Sequence, residues 1–243
     1  MNILAFDTAT SSCSVALWRN NKIISYRYKP MSRGHAEHLM VMIREVLFES
    51  GVNFSKIDLL AVTNGPGGFT GLRVGLAAAR GISLAGGLAC IGISNLEVVA
   101  NGVSYDERDS SHILSTIDTK REDIYIQIFT NASKGSSLQP LGEPQAILPE
   151  NLAAYLHLML PVKNNVKNKI LVVGDAAERS IKKIRESGNK AVAGKTSLAI
   201  DARGVALIAA NQWNGSFLRE SLQPLYLRSP DATIPINSGR LRP

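Results

Sequence analysis

The chain has 243 residues, 45% of them apolar, which is enough to bury a substantial core in one domain or two lobes and too apolar for a disordered or fibrous chain. Its 27 basic and 20 acidic side chains give a net charge of +7, which permits contact with RNA or an acidic protein; the excess lies largely in 163–169, 179–185 and 240–242, without the interleaved aromatics of a stacking platform. Two cysteines, Cys13 and Cys90, exclude a disulfide framework and a complete tetrahedral cysteine site, and both read as buried thiols of a reducing compartment.

Apolar runs at 3–6, 13–18 and 22–28, separated by polar segments, predict a three-stranded antiparallel meander. A helix is predicted from about Gly34 to Ser50, with Gly51 suited to cap it, then a strand at 59–63, a helix from about Thr70 to Ala85 and a strand at 89–93. A polar stretch at 102–111 reads as a loop. A similar order then returns: strands near 113–117, 124–129 and 139–147, a helix at 149–160, a strand at 170–173 and a helix at 176–187. The elements repeat although the residues do not, which predicts two lobes of one topology with a cleft between them.

A last helix at 202–213 is expected to pack back on the first lobe, giving a first lobe of 1–104 plus about 197–218, a second lobe of 105–196 and a tail of 219–243. The tail is basic and proline-punctuated, with an end expected to be mobile. No stretch reaches the roughly 18 apolar residues that span a bilayer, and 1–7 lacks the pattern of a leader, so no membrane contact and a cytoplasmic location are expected.

Gly65-Pro66-Gly67-Gly68 joins the strand at 59–63 to the helix that opens with Phe69-Thr70-Gly71-Leu72-Arg73, and it reads in two ways. Amides at a helix start favour an anion, so the loop could cradle phosphate; equally, glycines allow strand, helix and a neighbour to pack closely. A P-loop would place Lys-Ser or Lys-Thr where Thr70 to Arg73 stand. Asp7, ending the first strand before hydroxyl-rich Thr8 to Ser12, could hold a metal-bound water near phosphate, or simply cap its turn. His35 and His38 share a helix face at a spacing of three, whereas helical zinc pairs are usually four apart; His112 and His157 offer no completion. No Gly-x-Ser-x-Gly is present, and neither cysteine neighbours a basic group, which argues against an independent hydrolase.

The two first-lobe helices carry more. Leu39, Met40, Met42, Ile43, Val46 and Leu47 make one broad core face, while Val41 and Phe48 fall opposite, seven apart. Gly71, Gly75, Ala79 and Ser83 form a small-residue stripe that lets another helix approach, whether from a partner or from the same chain. Together they suggest a helical surface for a protein partner, with His38, Val41, Met42, Glu45 and Phe48 on the first helix and Gly71, Gly75, Ala79 and Ser83 on the second.

Asp7-Thr8-Ala9-Thr10, the segment Gly65 to Arg73, Ser94-Asn95-Leu96-Glu97 and Pro224-Leu225-Tyr226-Leu227-Arg228 occur in the order and spacing of one family. On these motifs the chain resembles the TsaB (YeaZ) family, bacterial proteins of tRNA threonylcarbamoyladenosine synthesis, from the first strand to the tail and most densely before Gly102. The resemblance implies an α/β, actin-like ATPase (ribonuclease H-like) fold, with two lobes that each hold a mixed five-stranded sheet flanked by helices. It implies a non-catalytic role beside a paralogous catalytic subunit, TsaD, with a small ATPase, TsaE, as third partner. That complex transfers a threonylcarbamoyl group to the adenosine next to the anticodon of tRNAs.

In the catalytic paralogue a helix after the fifth strand carries two metal-binding histidines; here those places read Asn95 and Val99, so no metal centre is expected. The second lobe's Val173-Gly174-Asp175-Ala176 lacks the paired glycines that approach adenosine in this superfamily. No cofactor of its own is therefore expected, with ATP or ADP bound at most weakly or at the complex interface. Asp7, Thr10, Ser12, Gly65, Gly67 and Gly68 are the residues that would meet it. An unpartnered chain is expected to form a homodimer through the same helices. The alternatives are an autonomous actin-fold ATPase or kinase using Asp7 and the Gly65 loop, a metallopeptidase, and a direct tRNA-binding module.

Overall fold

A computed structural model describes residues 1–108, 111–131, 138–160, 169–195, 200–215 and 222–228. The basic stretches at 163–168 and 240–242 and the tail from 229 onward lie outside these residues. Apolar runs build the first hairpins: β1 (Asn2–Asp7), β2 (Ser12–Arg19) and β3 (Lys22–Pro30) pair antiparallel in sequence order. Asn20 and Asn21, both at positive φ, close the β2–β3 turn in the handedness that matches strand twist.

The chain then crosses over through α1 (His35–Ser50) to β4 (Leu59–Gly65), and through α2 (Phe69–Gly86) to β5 (Ala89–Ser94). Gly51 ends α1 at φ 65°, returning its N–H to the carbonyls of Leu47 and Phe48. The five-stranded sheet runs β3-β2-β1-β4-β5, with β4 parallel to β1 and β5 parallel to β4. One face, Leu4, Phe6, Val15 and Leu17, packs on Leu39, Ile43 and Val46 of α1 and Leu72 and Leu76 of α2. The other face, Ile3, Ala5, Ala16 and Trp18, is covered by a helix from far along the chain, as described below. With both faces covered, β1 and β2 are buried almost throughout, which explains why they read as continuous apolar runs.

Short helices α3 (Asn95–Asn101) and α4 (Tyr105–Arg108) lead into the second lobe. Its strands are β6 (Ser111–Asp118), β7 (Ile124–Asn131), β8 (Leu138–Pro140), β9 (Gln145–Ile147), β10 (Lys169–Val173) and β11 (Ala191–Ala193), with α5 (Leu152–Met159) and α6 (Ala177–Glu186) as its helices. The sheet path is β11-β10-β6-β7-β8, and β9 pairs with β7 beside it. β6 and β7 are antiparallel, while β10 runs parallel to β6 and β11 parallel to β10. Each of the five strands on this path thus has a first-lobe counterpart with the same pairing sense.

The remaining helix, α7 (Ala202–Gln212), lays Ala202, Val205, Ala206 and Ala209 against the first sheet's second face, and the Ala202 N–H donates to Ser14 Oγ. Three local expectations are corrected. The strand read at 139–147 is two, because Gly142 turns at φ 144° and Pro144 cannot donate to a ladder. The loop read at 102–111 contains α4, closed by Arg108 Nε donating to the Val103 carbonyl. Met40, placed in the core by its spacing, is 44% exposed.

Candidate functional site

Asp7 is fully buried at the end of β1, and its carboxylate is consumed within the chain. It accepts the Ala9 N–H at 3.0 Å, the Thr10 hydroxyl at 2.8 Å and the Thr63 hydroxyl at 2.6 Å. Burial pushes its pKa up, opposed by these three hydrogen bonds. The capping reading of Asp7 therefore describes its geometry. The glycines complete the corner. The Gly68 N–H donates to the Ala9 carbonyl at 2.7 Å, and a Cβ on Gly67 would lie 2.4 Å from that same oxygen. A Cβ on Gly71 would sit 1.9 Å from the Thr8 carbonyl oxygen, and one on Gly75 2.5 Å from Thr8 Oγ1, whose hydroxyl donates to the Gly71 carbonyl at 2.7 Å. The glycines thus admit the β1–β2 turn against the start of α2.

Between the lobes lies a cleft of about 580 Å³, within the usual range for a small-molecule site. Thr10, Ser12, Gly67 and Gly68 line it from the first lobe. Asp7 and Gly65 do not; Gly65 turns at φ 111° beneath Leu225. The second lobe contributes Asp118, Thr119, Lys120, Gly174 and Asp175, of which the sequence reading singled out only the strand-end glycine segment. Lys120 Nζ pairs with Asp118 at 3.0 Å, and Asp175 accepts the Asp118 N–H at 2.7 Å. His35 stands over the first-lobe turn with Nε2 3.3 Å from the Thr10 carbonyl, whereas His38 faces Lys29, so the two do not converge.

Two motifs far apart in sequence meet over the glycine loop. Leu225 N–H donates to the Asn64 carbonyl at 2.7 Å, and Arg73 Nε donates to the Tyr226 hydroxyl at 3.0 Å. The Arg73 guanidinium lies 3.7 Å from the Phe69 ring centroid, and the Phe69 and Tyr226 rings are tilted at 30° with centroids 5.8 Å apart. This strap gives a physical reason for the Phe-Thr-Gly-Leu-Arg and Pro-Leu-Tyr-Leu-Arg pairing that spacing could not supply.

The stripe on α2 is corrected by burial. Gly71, Gly75 and Ala79 are enclosed by the chain itself, and Ser83 donates to the Leu88 carbonyl at 2.6 Å. Met42 likewise belongs to the core, since it stands on the same face as Leu39 and Val46. What remains outside is Val41, 44% exposed, and Phe48, 91% exposed, with Glu45 exposed and His38 half-buried on the same helix. Met40, Phe54, Ile82 and Leu88 line an adjoining groove of about 450 Å³, and Leu84 near the end of α2 is 82% exposed. This is an apolar surface of a kind that marks interaction sites.

The model of the family described as TsaD, tRNA N6-adenosine threonylcarbamoyltransferase, matches residues 29–167, more than half of the chain. The tRNA threonylcarbamoyladenosine biosynthesis protein TsaB of Escherichia coli is 37% identical over 125 residues. The chain belongs to the TsaB (YeaZ) family. The E. coli TsaB match takes in 51% of this chain and 53% of that protein, so the chain spans about half the length of the curated relative it matches. YeaZ from Pseudomonas aeruginosa superposes over 93% of this chain and 99% of its own with a TM-score of 0.70 at 24% identity. A ROK hexokinase from Thermus thermophilus does so over 87% and 98%, with a TM-score of 0.50 at 13% identity. These two likenesses concern the fold, which is the actin-like ATPase fold. Asn95 and Val99, which the resemblance alone sets against a histidine pair, are both buried. Asn95 Nδ2 donates to the Pro66 carbonyl at 2.9 Å and Val99 lies in the core, so an amide and an isopropyl group do not fit a metal.

Proposed function

We propose that this chain is a non-catalytic partner subunit in threonylcarbamoyl transfer to the adenosine next to the anticodon of tRNAs, supporting a TsaD-like catalytic subunit. The observation that carries the reading is the outward apolar face of α1 and the end of α2, above all Val41, Phe48 and Leu84. Removing such surface from water is worth roughly 25 cal/mol per Å², so an aromatic side chain as open as Phe48 is a natural anchor. His38 and Glu45 sit at its polar rim. Met42, Gly71, Gly75 and Ala79 support the two helices from beneath. A TsaE-like ATPase and tRNA enter through the complex, in the cytoplasm, and in the absence of a partner a second copy would cover the same face.

No nucleotide cofactor of its own is assigned to the chain. The Asp7 carboxylate and the Gly68 N–H are spent on the β1–β2 turn, which supports a packing role for the glycine loop over a phosphate cradle. The double variant Val41→Glu with Phe48→Glu changes exposed side chains only and is expected to fold yet lose co-purification with the TsaD-like subunit. Undiminished capture would sink the surface. Depleting the protein in its host and finding tRNA threonylcarbamoyladenosine unchanged by mass spectrometry would refute the function itself.

The second reading, an autonomous actin-fold ATPase or kinase, has the inter-lobe cleft with Thr10, Ser12, Gly67 and Lys120 in its favour. Calorimetry with ATP and magnesium on the isolated chain decides it, since micromolar affinity with turnover would displace the partner-subunit reading.

A further inference from the structure

α3 has two sides, and the inter-lobe cleft takes only one of them. Asn95 faces the cleft, whereas Glu97 and Asn101 line a separate cavity of about 370 Å³ on the opposite side. That cavity is walled by α3 and α7 from the first lobe, by Gln127 and Leu138 from the second, and by Leu225 of the strap. It is therefore a junction of all three parts of the described chain.

Its chemistry is one-sided. Glu97 is half-buried, and among the described residues its carboxylate receives one hydrogen bond, from Gln212 Nε2 at 2.6 Å. The Asn101 amide beside it donates instead to the Glu97 main-chain carbonyl. Among the described residues that wall the cavity, the polar groups other than Glu97 are the Ser94 hydroxyl and carboxamides, and none is Lys, Arg or His. A partly desolvated carboxylate whose partner among the described residues is an amide carries an uncompensated charge, and a cation placed against it lowers that cost. Burial also lifts the Glu97 pKa to about 7, the direction expected of a carboxyl that lacks a positive neighbour. Carboxamides of the wall, such as Gln127 and Asn211, offer oxygen acceptors around it, and Pro140, Ile208 and Leu225 offer apolar walls for an aliphatic stem.

We propose that this cavity binds a cationic nitrogen group, an ammonium or guanidinium on an aliphatic stem, with Glu97 as its counter-ion. The same chemistry is presented by a free polyamine and by a Lys or Arg side chain of a protein. Isothermal titration of the full chain at about pH 8, where Glu97 is mainly ionised, uses two probes: agmatine, a free diamine-like cation, and acetyl-arginine amide, the side chain as a peptide displays it.

Saturable one-to-one binding is expected, weakened about tenfold or more by Glu97→Gln, because a charge-assisted hydrogen bond is lost. Asp175→Asn, in the cleft across α3, should leave it unchanged. Tighter binding of agmatine assigns the site to a free amine, and tighter binding of the peptide-like probe assigns it to a protein side chain. Should Glu97→Gln fail to fold, NMR titration of Glu97 in the unaltered chain replaces it: saturating probe must lower its pKa. No saturable binding by either probe, binding untouched by Glu97→Gln, or a Glu97 pKa indifferent to the probe would each overturn the proposal.

Discussion

In the first lobe β1 hands over to β2 across residues 8–11 and β4 to α2 across 66–68; in the second, β6 hands over to β7 across 119–123 and β10 to α6 across 174–176. The two corners are topological equivalents, and each has a glycine at positive φ: Gly65, the last residue of β4, at 111°, and Gly174, the first after β10, at 107°. They are closed by different physics. In the first, a buried carboxylate takes three internal hydrogen bonds and glycines bring backbone onto backbone. In the second, Asp118 stands where Asp7 stands but is half-buried, pairs with Lys120 and has its pKa lowered by that neighbour, while the Arg179 guanidinium reaches the Arg121 and Glu122 carbonyls. One corner is made of core and the other of surface, with Gly174 as the exception: a Cβ there would lie 1.8 Å from the Thr116 carbonyl oxygen.

The sharpest way to break the comparison is to add a methyl group to each corner. Gly174→Ala meets main-chain oxygen and must also hold a left-handed φ, so it should cost roughly 4 kcal/mol in a denaturant titration. Gly71→Ala meets the Thr8 carbonyl from a helical φ and should cost roughly 3 kcal/mol. Gly81→Ala on the exposed side of α2, where nothing lies within 4 Å, should instead gain about 0.5 to 1 kcal/mol. If Gly71→Ala proved as benign as Gly81→Ala, the glycine-packed corner would be wrong.

Asp7→Asn comes next. The amide keeps one acceptor oxygen and turns a donor toward hydroxyl and N–H groups that are themselves donors, at a cost of about 2 to 3 kcal/mol. Glu97, on the helix between the lobes, tests burial of a carboxyl by pH. Its ordinary value of 4.5 is raised to about 7 by desolvation. The stability it contributes is thus fully present below about pH 4.5 and lost as pH rises through about 7. Relative to Glu97→Gln, unfolding free energy should fall by roughly 2 to 3 kcal/mol across that window and stay level above it. A flat difference would show that the carboxyl is solvated after all.

How much of this was legible in the sequence differs between the two corners. The actin-like fold was readable because the strand and helix periods agree with the glycine punctuation, and the motifs named a family. The separate β8 and β9 and the short β11 were not, since three-residue strands carry too little pattern. At the candidate site, spacing identified the outward Val41 and Phe48 correctly as a second apolar face. It misassigned Gly71, Gly75 and Ala79, because a small-residue stripe looks the same whether a partner helix or the chain's own turn lies against it. The Asp118–Lys120–Asp175 wall went unseen for the opposite reason: exposed charges at a turn have no period, and only the fold brings 118–120 to 175.

The smallest effect separates the corners most cleanly. Asp175 is exposed and accepts the Asp118 N–H at 2.7 Å, a bond that an Asn oxygen can also accept. Asp175→Asn should therefore change stability by less than about 0.5 kcal/mol, since it removes a solvent-screened charge and retains the hydrogen bond. Whatever it does change runs through Lys120, whose pKa is raised chiefly by Asp118 and to a lesser degree by Asp175, and through the surface field at that turn. Raising salt to about 1 M contracts that field to a few ångströms, so the small difference between Asp175→Asn and the parent chain should vanish. The Asp7→Asn difference, set by buried hydrogen bonds, should persist under the same salt. Equal salt sensitivity of the two variants would mean that both corners are held by surface charge, and the distinction between them would fall.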